Sequence, residues 1–299
     1  AGEQTRYSML DALRAFATER LEEAGERAAV EGRHAETYVA LGRELCDAFE
    51  RHDEHADRLL AGDADNFAAV VERAAAAPRP SPAIAAQALE AALALDLALQ
   101  QRGTPAEQTQ ALDLALTLAE GRSVAPSLVL RAHLARGEAR RLLHDYGAAR
   151  ADLNVASDLA AQLADARYEG RAHMSLGALA LSQGKRDLAD ELLKRALELA
   201  DDAKDDVTAG RTLALVGKVA RMRRQLELAD QWCRAAVERS RAAGDRRDEG
   251  RALVELASTL LAAQATDEAA EAAREATHIL GRRGDRRSLR PVERRTRAE

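Results

Sequence analysis

Arginine recurs at one fixed interval in the second half of this chain, as Arg131, Arg171, Arg211 and Arg251. A guanidinium group presents a flat fork of N–H donors that matches a carboxylate or a phosphate. Four such groups along one surface would make a basic edge for an anionic ligand. The alternative is a structural row, in which each arginine pairs with an acid or a helix-end carbonyl of the neighbouring repeat. We favour the structural role, because a residue repeated this strictly is first of all part of the repeat.

Other residue types that perform chemistry are poorly placed for it. His52 and His55 could share a helix face, but no third ligand accompanies them, so a solvated helix is a better interpretation than a metal site. Cys46 and Cys233 lie in apolar stripes without a Cys-x-x-Cys motif, which argues against a disulfide framework and fits a reducing cytoplasm. The sequence contains no phosphate-binding Gly-x-x-x-x-Gly-Lys-[Ser/Thr] motif. It therefore predicts a chain without catalytic residue, metal or cofactor, which is not an enzyme.

The composition favours packed helices. Of 299 residues, 46% are hydrophobic, 31% are charged and only 3% are aromatic, and Ala and Leu dominate the apolar part. A net charge of −6 creates no general attraction for polyanions, so we do not expect this chain to bind nucleic acid. No apolar run approaches the ~20 residues of a membrane span, so we expect no membrane association.

The arginines belong to a repeat with a period of 40 residues. Each copy has a small residue six positions after its arginine, at 137, 177, 217 and 257. An aspartate falls between copies, at 165, 205, 245 and 285, where its carboxylate would accept the free N–H groups of the next helix. A fixed period of this size predicts a solenoid, in which each helix pair buries its apolar faces against its neighbours.

These residues resemble the tetratricopeptide repeat, W-x₂-L-G-x₂-Y…A-x₃-F…A. The Leu-Gly pair appears as Leu176-Gly177 and the alanine element as Ala189-Leu193-Ala196. Histidine or leucine replaces the family's tryptophan at 133, 173, 213 and 253, where we expect packing residues, and the period exceeds the common value of about 34. The resemblance implies an all-α, tetratricopeptide-like α-solenoid, a right-handed superhelix of antiparallel helix pairs.

The resemblance also implies that the first helix of each pair lines a concave groove. It places ten candidate ligand contacts there: Arg131, Glu138, Arg141, Arg171, Met174, Arg211, Lys218, Arg221, Met222 and Arg251. Arg141, Lys218, Arg221 and Met222 differ most between the copies. They are therefore better candidates for a specific ligand contact than the repeated arginines.

The first third resembles the linker that follows the nucleotide-binding module of bacterial STAND-type regulatory ATPases. The similar segments are 6–26, Arg33-His34-Ala35-Glu36 and Asp65-Asn66-Phe67-Ala68-Ala69, and the first looks like the end of a winged-helix region. In such proteins an NB-ARC-like ATPase precedes the linker and a tetratricopeptide sensor follows it. The resemblance implies that this chain is the sensor end of a regulator of the maltose-regulator type, with the nucleotide-binding domain upstream in the same polypeptide.

The predicted division of the chain follows the repeat and the prolines. We expect the end of the winged-helix-like region at 1–30, linker helices at 31–77, a degenerate helical repeat at 82–121, four 40-residue repeats at 122–281 and a basic capping or tail segment at 282–299. Three prolines within 78–82 cannot continue a helix and mark a boundary or hinge. The helix that follows is apolar all round, so it should be buried on more than one side.

The predicted function is a non-catalytic sensor module in the cytoplasm. It would bind a protein, a peptide or a small effector in the groove and relay this to an attached ATPase or transcription-output domain. A ligand that contacts both ends of the groove would favour one curvature of the superhelix. The alternative is a structural scaffold that drives self-assembly into a homo-oligomer.

Overall fold

The computed structural model describes residues 11–100 and 104–282. Within these ranges the chain forms fourteen α-helices and no β-strand, which confirms the predicted all-α fold. The six helices that precede the regular repeat are α1 (Asp11–Glu23), α2 (Arg27–Glu50), α3 (Glu54–Gly62), α4 (Ala64–Ala76), α5 (Pro82–Gln100) and α6 (Pro105–Ala119). The first ten residues of the predicted winged-helix-like region, Asp285 and the tail after 282 lie outside the described residues.

The regular repeat forms eight helices of 17 residues each. They are α7 (Pro126–Leu142), α8 (Tyr146–Gln162), α9 (Ala166–Ser182), α10 (Arg186–Asp202), α11 (Asp206–Met222), α12 (Leu226–Ala242), α13 (Arg246–Ala262) and α14 (Thr266–Arg282). We call each consecutive pair, beginning with α7–α8, a unit.

The turns that follow α7 to α13 share one backbone conformation. A residue in the left-handed region follows each of these helices, with φ between 51° and 74°, as in Ala164, Lys204 and Gly244 between units. The next residue then donates its N–H to a carbonyl five positions back, for example from Asp205 N to Ala200 O at 2.8 Å. These bonds satisfy carbonyls that the helix itself leaves without a partner.

The predicted aspartate caps are present wherever the structure describes them. Asp165 accepts from Tyr168 N at 3.1 Å, Asp205 from Thr208 N at 3.2 Å, and Asp245 from the N–H groups of the second and third residues of α13 at 3.0 Å. Each carboxylate satisfies first-turn donors at the positive end of its helix. The aspartates therefore set where the second, third and fourth units begin.

Small residues let the two helices of a unit approach closely. A Cβ added to Gly137 or Gly177 would lie 2.7–2.8 Å from side-chain carbons of Leu153 or Leu193, and one added to Gly217 would lie 2.6 Å from the Cys233 sulfur. Leu153, Leu193 and Cys233 have no solvent exposure, so they could not move aside cheaply. The close packing that the repeat predicts is confirmed.

The order of contacts separates an inner from an outer layer. In the described ranges, α7, α9, α11 and α13 pack against one another in series, whereas the backbones of α8, α10, α12 and α14 pack only against these first helices. Neighbouring units are thus closer together along their first helices. We call the surface of α7, α9, α11 and α13 the inner helical face.

Helix α5 forms the centre of the N-terminal part. It packs against α2, α3, α4, α6 and α7, and eleven of its 19 residues are buried, as its all-round apolar character predicts. Its length and mean hydropathy of 1.4 would allow it to cross a membrane, so the chain contains a longer apolar run than the sequence analysis expected. Because five helices cover it, α5 serves here as a core helix.

One apolar cluster extends across the prolines at 78–82. It joins Val70, Val71 and Ala74 of α4 to Ala88 and Leu89 of α5. The boundary or hinge at these prolines stays a prediction, and so do the other domain divisions.

Candidate functional site

Two arginines of the repeated row tie neighbouring units together. Arg171 Nε lies 3.5 Å from Asp205 Oδ2, and Arg211 Nη2 lies 3.7 Å from Asp245 Oδ2. Both aspartates are the caps of the next inner helix, so each arginine links one unit to the start of the following one. This arrangement supports the structural role of the row at these two positions.

Asp248 is a second carboxylate that binds Arg211, beside that of Asp245. Arg211 Nε donates to Asp248 Oδ2, and Arg251 Nη1 lies 3.3 Å from Asp248 Oδ1. Burial by itself would raise the pKa of Asp248, but the positive charges of Arg211 and Arg251 lower it to about 2. Asp248 is therefore ionised at neutral pH, and its charge is balanced within the inner helical face.

The more variable candidates also have partners in the protein. Arg221 Nη2 donates to Glu255 Oε2 at 2.9 Å, and Lys218 Nζ lies 3.8 Å from Glu255 Oε1. Arg141 donates to Glu138 at 2.8 Å within α7. These side chains belong to α7 and α11, and a ligand there would have to exchange with existing ion pairs.

The two candidate methionines contribute to the core as much as to the surface. Met174 and Met222 are half-buried and pack against the apolar cluster of Leu181, Leu193 and Val216. Their flexible side chains fill space between units. This packing accounts for both methionines, and their role as ligand contacts stays a prediction.

Arg131 differs from the other arginines of the row. It is half-buried on α7, and among the described residues it has no hydrogen bond or ion pair. Burial raises the pKa of Tyr168, and the positive charges of Arg131, Arg171 and Arg167 oppose that rise. We call Arg131, Arg167, Tyr168 and Arg171 the basic cluster.

An acid from the N-terminal part reaches the basic cluster. Glu50 ends α2, and its two carboxylate oxygens lie 3.4 Å from Arg171 Nη1 and 3.3 Å from Arg167 Nη2. The Arg171 guanidinium also lies over the Tyr168 ring, 5.1 Å from its centre. The last turn of α2 thus supplies a carboxylate to a site on α9, 121 residues later in the chain.

A second contact from the same corner reaches the start of α13. Arg247 Nη2 donates to Asp57 Oδ2 at 3.1 Å, and the two side chains are only 8% and 11% exposed. The Arg247 guanidinium lies 5.2 Å from the centre of the Phe49 ring, and His52 Nδ1 lies 3.4 Å from Asp245 Oδ2. Because the partners are up to 190 residues apart, no local sequence signal could reveal these pairs.

His133 takes part in a structural ion cluster. Its Nδ1 lies 2.9 Å from Asp152 Oδ1, and Arg136 and Arg140 donate to the same carboxylate at 2.6 Å and 2.9 Å. Both arginines also bind Asp113 of α6. The cluster joins α6, α7 and α8, so Arg136 and Arg140 hold the first unit to its predecessor.

The other candidates for chemistry have ordinary surroundings. His52 contacts Asp245, whereas His55 lies 3.4 Å from Arg58 on its own helix, and the described residues contain no group of three metal-ligating side chains. Both cysteines are free and buried, and burial raises the pKa of Cys46 to about 12 and that of Cys233 to about 11. Neither thiol is an effective nucleophile at neutral pH.

Comparison with solved structures identifies several helical proteins with a similar fold. BtubC (BKLC) from P. vanneervenii is 16% identical, with a TM-score of 0.57 over 74% of this chain and 91% of that one. Aspartyl phosphate phosphatase F from Bacillus subtilis is 13% identical, with a TM-score of 0.56 over 87% of this chain and 76% of that one. No protein-family model and no curated protein sequence matches the chain.

A third similar structure is a larger signalling protein. It is the Signal Transduction ATPase with Numerous Domains (STAND) protein with a tetratricopeptide repeat sensor, PH0952 from Pyrococcus horikoshii. It is 15% identical, with a TM-score of 0.53 over 89% of this chain and 42% of that one. Identities this low show a shared fold and nothing finer. Together with the fourteen helices and their inner and outer layers, they establish this chain as a tetratricopeptide-like α-solenoid.

Proposed function

We propose that this chain is a non-catalytic binding module, which receives a segment of a protein or peptide on its inner helical face. The observation that carries the proposal is the basic cluster, where Arg131 has no acid of its own among the described residues. A half-buried guanidinium gains most from a ligand carboxylate or phosphate, because partial burial reduces screening by water.

The surrounding surface supports a peptide more than a compact small molecule. The inner helical face continues over four helices, so an extended ligand would contact several units at once. Helices α9, α11 and α13 are linked through Arg171, Arg211 and their aspartates, so binding at one unit would bias the position of the next. A small effector that binds the same cations stays a second possibility for the ligand.

A peptide-display selection against the purified chain tests this function. Selected peptides should lose about tenfold or more in affinity for the Arg131→Glu variant, because a charge reversal turns attraction into repulsion. Arg274→Glu is the matched control. Arg274 is exposed on outer helix α14 and, among the described residues, bonds only to a carbonyl of its own helix, so its charge reversal should leave peptide affinity unchanged.

The scaffold function would give a different result. A chain that self-associates in light scattering, and for which no selected peptide depends on Arg131, would contradict the binding module and support a homo-oligomeric scaffold. Arg131→Glu has no described ion pair to break, so its melting temperature should stay close to that of the native chain.

We further propose that ligand binding is relayed to a nucleotide-binding domain of the same polypeptide, as part of a bacterial cytoplasmic regulator of transcription. Its support is the STAND-like first third of the sequence and the shape shared with PH0952, whose own name includes an ATPase and a tetratricopeptide sensor. The two free, buried cysteines fit a reducing compartment. A Gly-x-x-x-x-Gly-Lys-[Ser/Thr] motif encoded upstream in the gene would support the relay, and a gene without one would contradict it.

A further inference from the structure

The corner between α2 and α3, from Phe49 to Asp57, contacts the inner helical face at two separate levels. Glu50 binds Arg167 and Arg171 on α9, while Asp57 and Phe49 contact Arg247 at the start of α13. We call residues 49–57 the α2–α3 corner. It supplies two carboxylates and one aromatic ring to cations that belong to different units.

These contacts are made by side chains alone. Among the described helices, α2 and α3 pack against one another and against α1, α4 and α5, but their backbones do not pack against α9, α11 or α13. Leu45, Cys46 and Phe49 anchor the corner in the apolar cluster that includes α5. The corner is therefore fixed to the N-terminal part and reaches the later units through ion pairs and an aromatic contact.

The charges beneath the corner favour an acidic ligand. The basic cluster contains Arg131, Arg167 and Arg171, and its acids are Glu50 and Asp205, of which Asp205 also caps α11. Without Glu50, three arginines would share one carboxylate. Likewise, Arg247 would lose the buried carboxylate of Asp57, and breaking a buried ion pair from one side is costly.

Resting on the proposed binding function, we infer that the α2–α3 corner is an internal ligand of the inner helical face, and that an acidic peptide with two separated carboxylates displaces it. The peptide supplies carboxylates to Arg171 and Arg247 in place of those of Glu50 and Asp57, so the exchange keeps the number of ion pairs at these two arginines. Release requires only a small change in curvature spread over several units, because the corner stays anchored on α5. Binding of the peptide would therefore open the solenoid.

A peptide with the sequence of residues 47–58 is the probe for the full chain. In the native chain the corner occupies the site, which reduces the apparent affinity by the fraction of open molecules. The Glu50→Gln/Asp57→Asn variant should bind the peptide about tenfold more tightly than the native chain does. Glu44→Gln/Asp47→Asn is the matched control, since it makes the same charge change at two exposed acids of α2 and should bind like the native chain.

Two further variants locate the binding. A peptide with Gln and Asn at the positions of Glu50 and Asp57 should lose most of its affinity for the opened variant. Arg167→Gln, at a half-exposed side chain that a stable fold tolerates, should weaken binding of the acidic peptide to the opened variant about tenfold. Equal affinity of the acidic peptide for the native and opened chains, or no binding to either, would overturn the inference.

Spin labels provide a measurement that does not depend on the peptide. Cysteines placed at the exposed positions Arg58 and Ala242 should report a longer and broader distance distribution in Glu50→Gln/Asp57→Asn, whereas the two native thiols are buried. An unchanged distribution would overturn the closure by the corner. That failure is distinct from failure of the proposed function, which is decided by whether selected peptides depend on Arg131.

Discussion

Gly177 and Leu193 fit together as a pair: a Cβ added to Gly177 would lie 2.7 Å from both Cγ and Cδ2 of Leu193. The same two repeat positions hold Gly137 with Leu153, Gly217 with Cys233, and Ala257 with Ala273. Glycine on the first helix thus leaves room for Leu153, Leu193 or Cys233 on the second, and the larger Ala257 is accompanied by the smaller Ala273. A larger residue on the first helix is therefore matched by a smaller one on the second.

Gly177→Ala should destabilise the chain by about 1–3 kcal/mol, because Leu193 is fully buried and cannot move away. The double variant Gly177→Ala/Leu193→Ala copies the pair found in the fourth unit. It should be more stable than the sum of the two single changes, and urea unfolding of all four chains measures this coupling. Strict additivity would contradict the direct contact.

Asp96 should make stability depend on pH. Burial raises its pKa to about 7, even though Gln100 and Gln108 donate hydrogen bonds to it. In the unfolded chain the ordinary pKa is 3.8, so the stability contributed by protonated Asp96 is complete below this value and declines as the pH rises to about 7.

Asp96→Asn should therefore gain stability relative to the native chain between pH 4 and pH 8, by on the order of 2–4 kcal/mol. The Gln100 amide can turn to donate or accept, so the neutral side chain keeps its partners. Thermal melts across this pH range provide the measurement. Glu120→Gln, an exposed carboxyl near the end of α6, is the control and should leave the pH profile unchanged.

Asp248 should make stability depend on pH in the opposite direction, over a lower pH range. Its pKa is about 2 in the folded chain against an ordinary 3.8, so its stabilising effect is present above pH 4 and is lost as the pH falls towards 2. Asp248→Asn should cost about 1–2 kcal/mol at neutral pH, allowing for solvent screening of Arg211, whose side chain is 36% exposed.

The difference between the native chain and Asp248→Asn should vanish at the acid end of a series of denaturant titrations. Asp158→Asn, at an exposed carboxyl of α8, should show no such trend. An Asp248→Asn variant as stable as the native chain at neutral pH would contradict the structural role of Arg211.

Substitutions at one left-handed turn position should have opposite effects on stability in two different units. Ala164 and Gly244 are equivalent, with φ of 51° and 73°. Ala164→Gly should stabilise the chain by up to about 1 kcal/mol, because the strain relieved exceeds the added flexibility of the unfolded chain. Gly244→Ala should destabilise it by about 1 kcal/mol, although no atom would contact the new methyl group. Melting temperatures that move in the same direction for both variants would contradict the turn geometry.

Much of the fold was predictable from the sequence because its information is local and repeated. Aspartate recurs at the start of a helix, as in Asp205 and Asp245, and glycine recurs at the position of Gly177. The caps and the close packing could therefore be predicted from nearby positions and the period alone. The candidate site was less predictable. Arg221 and Lys218 both belong to α11, but their pairing with Glu255 depends on the next unit.

The amino-acid sequence by itself determined the helices, their caps, their close packing and the resulting solenoid, since these follow from contacts within a unit or between adjacent ones. Only the tertiary structure decided that Glu50 reaches Arg171 and that Asp57 reaches Arg247. Those pairs depend on the curvature accumulated over several units, and small rotations between helices add up over a distance that no local pattern records. The repeated arginines therefore identify the inner helical face, and the curvature of the solenoid selects which of them meet the N-terminal acids.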